Sequence, residues 1–143
     1  MADQAVADAF EQWRGPIMAS HSNARSIVPG DRQITDATAA EVARRGGILG
    51  ISFYQPHLRK AGRVSLDDVV RHARHLARAA GGPEHVGLGT DLDGGFDSRH
   101  APIASMDELK QLPTRLRKHF SRAQVAGVMG TNWLEFLGRS LPD

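Results

Sequence analysis

The chain has 143 residues, 41% of them apolar and 24% charged, which excludes a disordered, collagen-like or disulfide-stapled chain and fits a folded domain of ordinary size. With 18 Lys plus Arg against 16 Asp plus Glu, the net charge of +2 is no electrostatic footprint of a nucleic-acid binder. The absence of Cys removes disulfides, thiolate nucleophiles and Cys-held zinc, leaving His, Asp and Glu as the strong metal ligands.

Residues 2–13 place Val6, Phe10 and Trp13 at helical spacing, predicting a short amphipathic helix that Gly15-Pro16 ends. Residues 16–20 read as a short buried strand, followed by a polar loop over 21–33. Thr35 is the expected N-cap of a helix reaching Arg45, with Ala39, Val42 and Ala43 inward and Gly46-Gly47 as its stop. Residues 48–53 are apolar nearly throughout, which suits a parallel strand covered on both faces. A loop over 54–64 leads to a Ser65/Asp68 capping box and a helix with Val69, Ala73, Leu76 and Ala80 inward. A third strand is expected at 85–89, running into a charged loop, Thr90 to Phe96. Beyond it the pattern is helical, with capping boxes at Ser105/Glu108 and Ser121/Gln124 and a last helix over 132–137.

Strands alternating with helices imply parallel pairing through right-handed crossovers, hence an α/β fold. The three strands lead into His21, into the stretch from Tyr54 to His57 and into Asp91, and α/β folds place their sites after strand C-termini. Three strands make a poor closed core, so the chain reads as part of a larger fold, a single incomplete domain over 1–143.

Individual motifs discriminate poorly. Asp91-x-Asp93-Gly94 has Phe96 and Pro102 where a calcium loop needs Gly and Glu, and Gly87-Leu88-Gly89 lacks the third Gly of a dinucleotide fingerprint. Asp91 is a turn former or a catalytic carboxylate, and Asp93-Gly94 reads as the turn itself. Arg71, Arg74, His75 and Arg78 form a stripe expected to face solvent, with His72 and His75 on that exposed side and without an acidic partner. His85, His100 and His119 have no supporting pattern. His21, flanked by Ser20, Ser22 and Asn23, is a candidate ligand or an ordinary polar loop residue on spacing alone.

Ser20-His21-Ser22-Asn23-Ala24-Arg25, with Asp31-Arg32-Gln33 after it, resembles the membrane dipeptidase (renal dipeptidase) family of zinc peptidases in the amidohydrolase superfamily. The block from His85 to Gly94 and the block Gly130-Thr131-Asn132-Trp133-Leu134 are similar to that family's later motifs, in the same order, and the resemblance covers nearly the whole chain. It implies the C-terminal portion of a (β/α)8 barrel and hydrolysis of dipeptides through a metal-bound hydroxide at two zinc ions. By the same resemblance His21 is a ligand of the second zinc, Arg32 holds the substrate's terminal carboxylate, and Asp91 orients the nucleophile and passes its proton to the leaving amine. His57 stands where an aromatic residue can line the substrate pocket, and Gln33 where the family often has Asn. The family's His-x-Asp pair has no match, nor do its metal-bridging acid and its other second-zinc histidine, expected at or before Met1.

Two readings follow. The chain is the C-terminal part of a zinc dipeptidase carrying half a site and inactive by itself, or an α/β binding and assembly domain that kept the fold without the catalysis. A dipeptide is the expected substrate, with no nucleic-acid partner. Self-association, or pairing with a missing N-terminal half, is the expected assembly. No apolar run approaches the ~20 residues of a membrane span and residues 1–14 lack a leader's basic and apolar regions, so the expected location is cytoplasmic.

Overall fold

The computed structural model describes residues 3–141. Helix α1 (Asp3–Gln12) leads to strand β1 (Met18–Ala19), helix α2 (Asp36–Arg44) and strand β2 (Ile48–Ser52). A one-turn helix α3 (Gln55–Leu58) and helix α4 (Leu66–Ala79) precede strand β3 (Val86–Thr90), and three further helices follow: α5 (Leu112–Leu116), α6 (Arg122–Ala126) and α7 (Asn132–Ser140). The three strands form one parallel sheet in the order β1-β2-β3. This is the α/β arrangement expected from alternating strands and helices.

The core lies between the sheet and α2, α4 and α5. Every residue of β2 is buried, and Leu49, Ile51 and the following Phe53 are fully so. They pack with Val42 of α2, Val69, Ala73 and Leu76 of α4, and Leu112 and Leu116 of α5. Thr35 caps α2 by accepting the Thr38 N–H at 3.0 Å, and Gly46 follows that helix in a left-handed turn at φ 69°. The Asp68 carboxylate accepts the Ser65 N–H at 3.0 Å at the start of α4.

The opposite face of the sheet is covered in part. The Ser20–His21 backbone crosses that face: a methyl group on Gly50 or on Gly89 would overlap the Ser20 carbonyl oxygen. A methyl group on Gly87 would overlap the Trp133 indole of α7. Glycine is required there because another part of the chain passes against the strand backbone. Side chains of α7 also bond β3, Asn132 Nδ2 donating to the Val86 carbonyl at 2.7 Å and Trp133 Nε1 to that of Leu88 at 3.0 Å.

Other expectations are corrected in detail. The first strand shrinks from 16–20 to the pair Met18–Ala19, registered on Ile48 and Leu49. The third begins at Val86, since His85 closes a short 3-10 turn and its Nδ1 bonds the Gly47 carbonyl at 3.0 Å. The 54–64 loop contains α3. The Ser105/Glu108 box does not form: the Glu108 carboxylate accepts the Ala104 N–H at 2.9 Å, ahead of a 3-10 segment. The Ser121/Gln124 box does form. Helix α1 buries none of its residues, and Trp13 is 58% exposed. Ala2, where that helix was expected to start, lies outside the described residues. Arg45 instead ties α1 to α2, donating to the Phe10 carbonyl at 2.7 Å and to that of Trp13 while stacking on the Phe10 ring. No helix among the described residues is long and apolar enough to cross a membrane.

Candidate active site

The site residues follow the C-terminal ends of the three strands. After β1 the chain turns sharply, with Ser22 N–H donating to the Gly50 carbonyl at 2.7 Å. Asn23 is fully buried, and its side-chain amide both donates to the Ser52 carbonyl and accepts from the Ser52 N–H, each at 3.0 Å. Gln33 is buried as well, its Oε1 accepting the Asn23 N–H at 3.0 Å. Gln33 therefore serves the loop's scaffold.

His21 stands on this loop. Its Nε2 lies 2.6 Å from Arg32 Nη2, and its Nδ1 lies 2.7 Å from Ser20 Oγ. A guanidinium only donates, so Nε2 is the acceptor and the ring is the tautomer whose Nδ1–H donates to Ser20. The Nε2 lone pair, the donor a metal ion would take, is thereby aimed and fixed.

Asp91 follows β3 in a contorted stretch. Thr90, Asp91 and Asp93 have φ of 35°, 63° and 67°, and Asp91 N–H meets the Gly89 carbonyl at 2.5 Å. A left-handed β-branched residue is an outlier, whereas Asp tolerates the region. The turn closes when Gly94 N–H donates to the Asp91 carbonyl at 3.0 Å. Gly94 has to be glycine because the Asp91 carboxylate folds over it.

His57 belongs to α3, beyond β2. Its ring packs edge-on against Tyr54 at 5.0 Å, and Tyr54 stacks at 4.9 Å on Phe96 from the loop after β3. Burial, then the Arg32 cation, and to a smaller degree His21, hold the His57 imidazole below its ordinary value, while the Asp91 carboxylate pulls it upward. The four candidate residues thus come from the segments after three adjacent strands, and His21 and Arg32 are the pair in direct contact. His57 Nδ1 is buried and has no hydrogen-bond partner among the described residues. Tyr54 was named from the sequence only as the start of the stretch to His57, and Phe96 was not named as a site residue. The available signal was their position, aromatic residues in loops that follow strand ends.

A cavity of about 330 Å³ opens beside β1, with His21 and Arg32 in its wall together with Phe10, Ile17, Ile34 and Val42. Asp91 and His57 do not line it. His72, expected on an exposed face, is fully buried, with Nδ1 accepting the Ala24 N–H and Nε2–H donating to the Leu58 carbonyl, both at 3.1 Å. His75, expected to lack an acidic partner, meets Asp36 Oδ1 at 2.7 Å. The crossing of α2 and α4 produces that pair across 39 positions.

As a metal centre the arrangement is partial. His21 has the imidazole donor of a metal shell, but its Nε2 accepts from Arg32. Among the described residues, no group of three or more His, Asp or Glu is assembled to hold an ion.

The model of the family described as membrane dipeptidase, peptidase family M19, matches residues 1–139. An uncharacterized dipeptidase of Schizosaccharomyces pombe is 32% identical over 89% of this chain and 31% of its own length. Dipeptidase aclJ of Aspergillus oryzae is 32% identical over 94% of this chain and 33% of its own length. A metallo peptidase from Rhodobacter sphaeroides, solved with a phosphinate mimic of the dipeptide L-Ala-D-Ala, is 29% identical with a TM-score of 0.85, over 95% of this chain and 39% of that one. The chain therefore spans about a third of these curated relatives' length, as a C-terminal part, and its sheet is the corresponding portion of their barrel. On the match of its residues 1–139 and the likeness of its fold, this chain belongs to the membrane dipeptidase family of metallopeptidases, M19.

Proposed function

We propose that this chain supplies the C-terminal half of a zinc-dependent dipeptidase site and is inactive without the rest of it. The observation that supports this best is that the candidate residues follow the C-terminal ends of three adjacent parallel strands, with His21 and Arg32 in contact at 2.6 Å after β1. When bound, zinc would supply Lewis-acid activation of the scissile carbonyl and of the attacking water. His21 would hold it through Nε2, with Ser20 keeping the ring in the required tautomer. The planar fork of Arg32 pairs with both oxygens of the substrate's terminal carboxylate and so sets the register of the peptide bond. Asp91, on the left-handed turn after β3, takes the proton of the attacking water and delivers it to the leaving amine. His57, held below its ordinary value by burial and by Arg32, turns its ring toward the substrate.

One imidazole and one carboxylate fall short of the three protein ligands usual for a catalytic zinc, which supports inactivity of the chain alone. The test is hydrolysis of L-Ala-D-Ala by the chain joined to the N-terminal part of a family relative, with metal content measured in parallel. Asp91→Asn should lower kcat about a hundredfold with metal retained. Arg32→Ala should raise KM, and His21→Ala should deplete metal. Full metal and a near-normal rate in His21→Ala would refute the assignment, and a completed barrel with metal but no turnover would favour the binding and assembly domain instead.

A further inference from the structure

The loop that carries Asp91 is fastened at both ends to two consecutive residues after β2. At its start the Thr90 carbonyl accepts the Phe53 N–H at 2.7 Å, and at its end the Phe96 ring meets the Tyr54 ring at 4.9 Å. From Asp93 to His100 every residue is exposed except Phe96. This ring is therefore what returns the chain to the body of the protein, after the left-handed turn of Gly95 at φ 93°. Between the two ties Thr90, Asp91 and Asp93 hold φ of 35°, 63° and 67°. Backbone of this kind persists only where its surroundings over-determine it. Leu92 anchors the middle of the loop on the core, and Phe96 closes it. Tyr54 has a second neighbour, the His57 ring, edge-on at 5.0 Å. One tyrosine thus touches both the anchor of the Asp91 loop and the His57 imidazole.

We propose that Phe96, acting through Tyr54, is a positioning residue for both Asp91 and His57. The ring contact holds the turn bearing Asp91 in its left-handed form and keeps Tyr54 edge-on to His57. The inference rests on the roles given above for Asp91 and His57 and adds what places them. The loop of His21 and Arg32 is held separately, by Asn23 and Gln33, so loss of the Phe96 ring should leave it in place.

The experiment uses the full 143-residue chain, in which Tyr54 is the single tyrosine, so that 3-fluorotyrosine gives one ¹⁹F signal. Three-bond HN–Hα couplings and intraresidue NOEs read the φ of Asp91 and Asp93 in the parent, Phe96→Ala, Phe96→Leu and Phe96→Tyr. The buried His72 ring signals report that each variant is folded. In Phe96→Ala and Phe96→Leu, Asp91 and Asp93 are expected to lose the left-handed signature, and the Tyr54 fluorine and His57 ring signals to move together. The Gly94 amide, bonded to the Asp91 carbonyl in the parent, should exchange about tenfold faster. Phe96→Tyr keeps the ring and should restore all of these, while leucine, which keeps most of the volume, separates the ring contact from bulk. A left-handed Asp91 in either Phe96→Ala or Phe96→Leu, or a His57 ring unmoved while Tyr54 moves, would overturn the proposal. A released turn in Phe96→Ala beside a full rate for Asp91→Asn in the chain joined to a relative's N-terminal part would instead overturn the catalytic role of Asp91, and with it the positioning of a catalytic group.

Discussion

The side chain of Asn23 bonds the backbone of Ser52 as a neighbouring strand would, its Nδ2 donating to the carbonyl and its Oδ1 accepting from the N–H, each at 3.0 Å. Where β1 ends, the sheet is thus extended by a side chain, and the loop carrying His21 is splinted to the end of β2. Asn23→Asp replaces the donor by a second acceptor facing the Ser52 carbonyl and buries a charge. It should cost about 2–4 kcal/mol in urea unfolding at neutral pH. A loss below half a kcal/mol would show that the splint does not hold the loop.

His72 joins both site loops to α4, through Ala24 after His21 and through Leu58 after His57. Burial lowers its imidazole to about 4. Protonation would also set an Nδ1–H against the Ala24 N–H, two donors face to face. Because the folded-state value is depressed, the unfolded chain binds the extra proton between about pH 6.5 and 4, and stability falls as pH falls through that window. The loss should be on the order of 3 kcal/mol and complete near pH 4. His72→Leu should be less stable at pH 7, with two backbone groups orphaned, and should lose about one proton's worth of slope across the window. An unchanged slope in unfolding measured at several pH values would contradict this.

Two glycines should respond to alanine with opposite signs. At Gly89 the added methyl meets the Ser20 backbone, whereas at Gly138, within α7, nothing lies within 4 Å. Gly89→Ala should destabilise by about 2 kcal/mol or more and disturb the Ser20–His21 hydrogen bond. Gly138→Ala should stabilise by about 0.5–1 kcal/mol through helix propensity. Thermal unfolding of the two variants beside the parent checks the pair.

Strand β1 is an edge of the sheet, with Met18 53% exposed on it and Trp13 58% exposed nearby. Unpaired strand edges with apolar side chains template association. The chain should self-associate in sedimentation, and Met18→Lys should reduce this. A stable monomer at high concentration would show that the edge is protected.

Local signals in the sequence were enough for the strands β2 and β3, the Thr35 and Ser65 caps and the inward stripes of α2 and α4, because each depends on periodicity or on a cap three residues away. The motifs around His21 and Asp91 were likewise readable as a resemblance, since they are contiguous. What required the folded chain was every relation across long separations. His72 sits on a stripe that its neighbours make look polar, and it is buried because the loop after β1 and the end of α3 meet over α4. His75 meets Asp36 only because α2 and α4 pack side by side. The exposure of α1 and the cover that Trp133 gives Gly87 depend on which surfaces the chain has available, and no local pattern encodes that. The Arg32–His21 contact is of the same kind: eleven positions apart, the two side chains meet because Asn23 and Gln33 fold their loop back on itself.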